Sequence, residues 1–324
     1  MRSRTPRCVA LGCVMLLILL AGTLRGQSVD TLYVRQYGEW LSVRPFFEKQ
    51  YNTLQYQSPA TGKVQALRAN TPLAIGFGFS WRGIGASFSF GIPHIGDRRD
   101  APTRSFDFQY HYYGRLLIGD LFVQWYRGYY SESDKGEVSF DAKLTFRRLG
   151  VRLAHPLLGR QFSYEALYNQ SAEQRRFAIC FPIGVGFYLQ DAQRLEGLGH
   201  HLRGGHFVAE VYAGCSAAIP LSRGYYMGTE VTLGMSGIIN GHTGGESAPH
   251  LSAMGRLAVG YTQRYWSLAV VAYAHSLGET TGNNTGLRIL SGSAELAFSW
   301  RFFRRPKWRT PAPATSLELS PADR

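Results

Sequence analysis

Bulky apolar residues alternate with small residues over much of this chain. From residue 73 to residue 81 the odd positions are leucine, isoleucine, phenylalanine, phenylalanine and tryptophan, and alanine, glycine and serine stand between them. After Arg82 and Gly83 the same alternation resumes over residues 84–92. Successive side chains of a β-strand point to opposite faces, so this pattern predicts a hairpin with one bulky face and one face of small residues.

The same period of two recurs to the end of the chain, and no helical period competes with it. The further alternating segments are 106–112, 117–125, 177–189, 207–211, 227–235, 257–261, 266–270 and 290–302. After residue 26 there is no run of 18 apolar residues, which a membrane-spanning helix would require. A membrane protein with this sequence must therefore cross the bilayer with strands.

The face of small residues distinguishes a membrane barrel from a soluble β-sandwich. The solvent face of a sandwich should carry lysine, glutamate, arginine and threonine, whereas this face is often glycine, alanine and serine. Aromatic residues also gather at the predicted strand ends, as in the interfacial girdles of membrane barrels; they are Trp81, Tyr112, Tyr113, Trp125, Tyr129, Tyr130, Tyr225, Tyr226, Tyr265, Trp266 and Trp300. We predict an all-β fold, an antiparallel transmembrane β-barrel, with the soluble sandwich as the alternative.

The lengths of the connections predict the number of strands, because short periplasmic turns should alternate with longer outer loops. Short connections are expected at 82–83, 113–114, 220–223 and 263–264, and longer ones at 48–70, 93–102, 131–137, 191–205, 241–249 and 277–284. A first count of thirteen strands breaks the alternation at 191–205. It returns if residues 140–153 form two short strands, since the apolar register slips between Phe146 and Leu149. About fourteen strands with both ends periplasmic are then predicted, with twelve as the alternative.

The termini differ from the rest of the chain. Residues 1–26 combine early arginines, an apolar stretch and a small residue before Gln27, which predicts a secretory signal peptide. A retained anchor or a lipoprotein modified at Cys13 are the alternatives. We predict an N-terminal periplasmic segment at 27–38, the barrel at 39–303, and a basic, then Pro/Ala/Ser-rich, disordered tail at 304–324.

Charge and cysteine content narrow the possible partners. Loss of the four arginines in the signal peptide lowers the formal charge from +13 to +9. An exported basic protein is not expected to bind nucleic acid. The two remaining cysteines fall on different faces, Cys180 on the small-residue face and Cys215 on the apolar face, so a disulfide between them is not expected.

Several blocks carry a resemblance to a known family. They are Val43-Arg44-Pro45-Phe46-Phe47 with 51–54, then 70–73, 106–114 and 162–174. These blocks resemble a Bacteroidota family known as domain of unknown function 4421, over most of residues 30–302. The resemblance implies an outer-membrane barrel with a signal peptide, and it brings no established activity, ligand or catalytic residue.

Polar residues on the small-residue face are the candidate functional residues. The eight that we single out are Asp107, His111, Asp120, Glu210, Glu230, Arg256, Glu295 and Arg301. Glu210 and Glu230 fall on adjacent predicted strands with Arg256 on the next, which suggests an ion network inside the lumen. Such a network either braces the barrel or selects solutes in a pore, and the acid/base pair Asp120 and His111 has the same two interpretations.

Catalytic and metal-binding motifs are weak. Residues 245–249 lack the closing glycine of a nucleophile elbow and fall in a loop. His200, His201, His206, His242 and His250 cluster in two loops, but no cysteine or carboxylate completes a metal-ligand spacing. We therefore predict no catalytic residue, no metal and no cofactor.

Three hypotheses about function follow from these features. The first is an outer-membrane barrel that is structural or a narrow, porin-like pore. The alternatives are an outer-membrane enzyme acting on lipid or lipopolysaccharide, and a scaffold for envelope proteins. The expected partners are outer-membrane lipids, lipopolysaccharide and the barrel insertion machinery, and the oligomeric state is left open.

Overall fold

A computed structural model describes residues 30–37, 40–57, 64–81, 84–93, 95, 98, 100–132, 136–193, 206–239, 249–281 and 285–303. The predicted signal peptide at 1–26 and the predicted tail at 304–324 lie outside the described residues. None of the helices in these ranges is long and apolar enough to cross a membrane.

The described chain is built almost wholly from β-strands. They are β1 (Val34–Gln36), β2 (Trp40–Gln57), β3 (Val64–Arg68), β4 (Leu73–Trp81), β5 (Ile84–Gly91), β6 (Arg104–Tyr113), β7 (Ile118–Glu132), β8 (Val138–Leu157), β9 (Ala172–Gln174), β10 (Ala178–Gln193), β11 (His206–Pro220), β12 (Tyr225–Ile238), β13 (His250–Thr262), β14 (Trp266–Thr281) and β15 (Thr285–Phe303). A one-turn π-helix spans Glu165–Asn169, and a 3₁₀ turn spans Ser222–Gly224.

The main sheet closes on itself. It has thirteen strands, and each neighbouring pair is antiparallel. The last strand, β15, pairs with β2 from Leu287 opposite Tyr56 to Phe303 opposite Trp40, which joins the two ends of the sheet. One strand, β3, stands outside the ring, so twelve of the described strands form it. The predicted antiparallel barrel is confirmed, with twelve ring strands, which was the alternative to the count of fourteen.

The difference in strand number comes from β8. This is one strand from Val138 to Leu157 and not two. The apolar register slips because Leu144 and Phe146 face the lumen and are buried, whereas Leu149 faces outward. The slip in the apolar alternation therefore marks an apolar patch inside the barrel and not a turn between two strands.

The outer surface is apolar, as the alternation predicts. Ile183 is 53% exposed, Val211 is 60% exposed and Leu233 is 58% exposed, while their strand neighbours point inward and are mostly buried. A closed antiparallel sheet satisfies its backbone hydrogen bonds internally, so it can present such a surface to hydrocarbon.

The two ends of the barrel differ. At the end where both β2 begins and β15 ends, here called the terminal end, short turns at 114–117, 221–224 and 263–265 join neighbouring strands. These turns confirm three of the four predicted short connections, and the fourth, at 82–83, lies outside the described residues. At the opposite, distal end, the predicted loop at 48–70 is wrong over much of its length, because β2 continues to Gln57 and β3 returns along it.

An apolar cluster lies in the lumen at the distal end. Strand β3 pairs with β2 and meets β7 where Arg68 stands opposite Tyr130, so it bridges the two strands beyond the shorter β4, β5 and β6. Inward-facing residues of five ring strands pack near this bridge; they are Leu54, Tyr56, Tyr126, Tyr129, Leu144, Phe146, Ala192, Leu287 and Ile289. This set is named the distal cluster.

The two cysteines confirm the predicted faces. Cys180 is buried, Cys215 is exposed, and both are free thiols.

The barrel predicts a depth-dependent cost of charge on its outer face. We expect Leu233→Arg, near the middle of β12, to lower the free energy of unfolding in lipid vesicles by about 2–4 kcal/mol. The control, Tyr225→Arg at the end of the same strand, should cost no more than about 1 kcal/mol because the arginine reaches the interface. Equal costs at the two positions would mean that this face does not meet hydrocarbon.

Candidate functional site

The connection between β8 and β10 enters the lumen from the terminal end. Residues 158–177 of this connection are here called the plug. Its residues contact strands on all sides of the ring: β2, β5, β6, β11, β12 and β15. A segment that touches opposite walls of a closed barrel must lie inside it.

The plug has a local structure of its own. Ser163 Oγ accepts the amide N–H of Ala166 at 3.2 Å at the start of the π-helix. The helix ends at Gln170, which adopts a left-handed conformation with φ of 51° and donates its backbone N–H to the carbonyl of Glu165. Burial raises the pKa of Glu165 to about 7.

Two buried arginines hold the plug by its backbone. Arg44 Nη1 donates to the carbonyl of Tyr168 at 2.9 Å, and Arg301 Nε donates to the carbonyl of Gln170 at 2.8 Å. Ser299 Oγ lies 3.1 Å from Gln170 Oε1, and the hydroxyls of Tyr164 and Ser216 lie 2.8 Å apart. Hydrogen bonds from charged donors are stronger than neutral ones, so the arginines dominate this anchoring.

The small-residue face makes room for the plug. A Cβ on Gly228 would lie 2.7 Å from Leu167 Cδ1, and a Cβ on Gly85 would lie 2.6 Å from Asn169 Nδ2. Alanines also surround the plug aromatics in one buried cluster, with Ala218 and Ala258 fully buried. The small-residue face therefore has a packing function that the sequence pattern alone did not reveal.

The N-terminal segment covers the plug. Strand β1 pairs with β9 of the plug, with Val34 opposite Gln174. Tyr37 donates its hydroxyl to Glu173 at 2.8 Å, and the guanidinium of Arg301 lies 4.8 Å from the centre of the Tyr37 ring. The segment before the first barrel strand is thus part of the closure at the terminal end.

Beside the plug lies a chamber of about 70 Å³, lined by Tyr168 and Asn169 of the plug and by residues of the barrel wall. Its polar lining includes Arg44, Glu48, Gln109, His111, Asp120, Arg152, Arg256 and Glu295. A volume of this size holds about five water molecules at roughly 10–15 Å³ each. It is far smaller than the aqueous channel of a large porin barrel.

Asp120 is the centre of one ion network. Its Oδ1 lies 2.7 Å from His111 Nδ1, and its Oδ2 lies 2.5 Å from Arg256 Nη2. Arg256 Nη1 lies 3.8 Å from Glu230 Oε2. Asp120 belongs to β7 and Arg256 to β13, which stand on nearly opposite sides of the ring. The ion pair therefore crosses the lumen.

Glu210 belongs to a second network and does not pair with Arg256. It lies 3.4 Å from Arg152 Nε and 3.6 Å from His275 Nε2, and it accepts the Tyr188 hydroxyl at 2.5 Å. Arg152 also donates to Thr232 at 3.2 Å, which ties β8 to β12.

The remaining predicted residues lie in separate contacts. Glu295 is 2.8 Å from Arg44, on the neighbouring strand. Asp107 accepts hydrogen bonds from Gln124 at 2.9 Å and Gln109 at 3.2 Å. Arg301 binds the plug and is not part of either network. Of the five loop histidines, His206 and His250 begin β11 and β13, and the other three lie outside the described residues.

Four further basic residues of the lumen were not predicted from the sequence. Arg44, Arg148, Arg152 and His275 are all buried and face inward. Arg148 Nη1 donates to Ser291 at 3.1 Å, from β8 across the ring to β15. Arg148 and Arg152 share the parity of the inward positions of β8, so treating β8 as one strand would have found both.

Breaking the Asp120 pair should destabilise the barrel. We expect Asp120→Asn to lower the free energy of unfolding by about 3 kcal/mol, because it leaves the buried Arg256 charge without its closest partner. The double variant with Arg256→Gln should recover part of that loss. Arg35→Gln, which removes an exposed ion pair with Glu173 at 3.2 Å, should cost less than about 1 kcal/mol. Equal losses for Asp120→Asn and Arg35→Gln would contradict the bracing role.

Comparison with known proteins gives a family and several distant structural likenesses. The translocator domain of the autotransporter NalP from Neisseria meningitidis is similar at 14% identity and a TM-score of 0.41, over 92% of this chain and 98% of that one. The outer-membrane protease OmpT from Escherichia coli is similar at 8% identity and a TM-score of 0.35, over 82% and 98%. OprG from Pseudomonas aeruginosa is similar at 9% identity and a TM-score of 0.27, over 87% and 100%.

No curated protein matches the sequence. The family model described as domain of unknown function (DUF4421) matches residues 28–302, which covers the plug and every ring strand except the last residue of β15. The chain therefore belongs to the DUF4421 family.

Proposed function

We propose that this protein is a structural barrel of the bacterial outer membrane whose lumen is closed to solutes. The observation that carries the proposal is the set of side chains that cross the lumen. Arg256 reaches Asp120 from β13 to β7, and Arg148 reaches Ser291 from β8 to β15. Contacts of this kind hold opposite walls at a fixed distance and occupy the path that a solute would take.

The contents of the lumen at its two ends support the same proposal. The plug and the N-terminal segment occupy the terminal end, and the distal cluster narrows the other end. A porin needs a continuous aqueous path, whereas the chamber beside the plug has a volume of about 70 Å³. The narrow-pore version of the function would require displacement of the plug.

The location and orientation belong to the proposal. Single-chain antiparallel barrels with an even number of strands and an apolar outer band are typical of the bacterial outer membrane. In such barrels the short turns are periplasmic and the longer loops are extracellular. We therefore place the terminal end in the periplasm and the distal end outside, in agreement with the predicted export signal at 1–26.

The enzyme and scaffold hypotheses remain predictions. The serine and three of the histidines that would serve an enzyme, Ser247, His200, His201 and His242, lie outside the described residues. An unchanged lipid profile after deletion of the gene would count against the enzyme, and crosslinking in native membranes would identify partners of a scaffold.

Displacing the plug should convert the closed barrel into a conducting one. We expect the unaltered protein to show no steady conductance in planar bilayers. Gly228→Val should raise the fraction of time spent conducting at least tenfold, because its side chain collides with Leu167 and forces the plug away from β12. The measurement is single-channel recording, with heat-modifiable gel migration to establish that each variant is folded.

The matched control is Gly255→Val on the adjacent strand. A Cβ at Gly255 meets no atom within 4 Å, so this variant should remain closed. Steady conductance by the unaltered protein would overturn the proposal. A folded Gly228→Val barrel that stays closed would show that the plug is not what seals the terminal end.

A further inference from the structure

Four basic side chains form a patch on the outer surface at the distal end. Arg104 is the first residue of β6, Arg127 lies on β7, and Lys143 and Arg147 lie on β8. All four are exposed. They share the outward parity of the apolar residues on their strands, so the patch faces away from the lumen and toward the surrounding membrane.

The strand register brings like charges together at the centre of the patch. Arg104 and Arg127 are direct cross-strand partners. Side chains in this position have Cβ atoms about 4.5–5.5 Å apart, and like charges there destabilise a sheet. Arg147 stands opposite Trp125, two residues from Arg127, and so adds a third guanidinium one diagonal step away. An anion between these side chains would relieve the repulsion.

The central arginine pair has no carboxylate partner in the described part of the chain. No carboxylate lies within 4 Å of the nitrogen atoms of the four basic side chains in these ranges. Arg127 Nε donates instead to the carbonyl of Ala142 at 3.4 Å. Two acidic residues stand at the edge of the patch: Asp191 of β10 is the cross-strand partner of Arg147, and Asp141 lies two residues before Lys143. Asp191 Oδ2 accepts the side-chain amide of Gln193, and Asp141 Oδ1 accepts backbone amides of β8.

The neighbouring residues place the patch at the level of the lipid headgroups. Phe106, two residues after Arg104, is 41% exposed on the same face, and Trp125 lies two residues before Arg127. Aromatic residues mark the interface between hydrocarbon and headgroups in membrane barrels. The anion available at that depth is a lipid phosphate, which arginine binds with paired N–H donors.

We propose that Arg104, Arg127, Arg147 and Lys143 bind the phosphate groups of lipopolysaccharide in the outer leaflet. This inference rests on the orientation given under Proposed function, in which the distal end lies outside the cell. The phosphorylated sugars of lipopolysaccharide present anions at the depth of the patch, and its acyl chains would lie against the apolar band below.

The test is a binding titration with the full-length mature protein in detergent. The probes are purified lipopolysaccharide, the same lipopolysaccharide after removal of its phosphates, and phosphatidylglycerol. We expect Arg104→Gln with Arg127→Gln to weaken binding of intact lipopolysaccharide at least tenfold and to have little effect on the dephosphorylated form. The single variant Arg127→Gln should show a smaller loss of lipopolysaccharide binding. It replaces the double variant in the test if the double variant does not fold.

The matched control is Arg288→Gln. Arg288 is also exposed, lies at the distal end of β15, and stands opposite Gln55 and Gly278 with no basic cross-strand partner. The Arg288→Gln variant should bind lipopolysaccharide as tightly as the unaltered protein does. Equal loss in this control, equal binding of dephosphorylated lipopolysaccharide, or tighter binding of phosphatidylglycerol would each overturn the inference. Conductance reports on the plug and not on this patch, so failure of either proposal is recognised separately.

Discussion

The width of a twelve-stranded ring is the constraint on which the rest of this structure depends. Eight strands enclose a space that wall side chains can just fill, and a wider ring leaves a lumen that must hold water or protein. Here the chain fills it with its own connection between β8 and β10, and glycine and alanine on the wall make that possible. Replacing Gly228 by a larger residue removes space that Leu167 occupies, so the side chains of the wall and of the plug must be complementary in size.

The buried charged residues of the lumen follow from the same constraint. A buried ion is costly unless it is paired, and two arginines here reach strands that are not their neighbours in the sheet. Arg256 binds Asp120, and Arg152 binds Glu210 and Thr232, so these long side chains lose conformational freedom and hold the strands at fixed distances. We attribute to these contacts a role in setting the shape of the barrel. A pair of apolar residues would be less directional.

Local pattern predicted what depends on local geometry. The alternation assigned the outward face of most strands, because the period of two belongs to the strand itself. It did not predict that residues 158–177 form a plug, or that Leu144 and Phe146 face inward, where they belong to the distal cluster. It also grouped Glu210 with Arg256, whereas Glu210 pairs with Arg152 of β8, which lies two strands away in the same row of the sheet, on the other side of Gly186.

The pairing of β15 with β2 affects the order in which the parts of the barrel form. It joins residues about as far apart in the chain as this barrel allows, such as Phe303 with Trp40, so it carries a large loop-closure entropy and forms late. Until then β2 has one unpaired edge. A plug that touches both β2 and β15 has its complete binding site only when those two strands have paired. The wall and its contents are therefore completed together, and an open sheet with an unseated plug precedes the closed barrel.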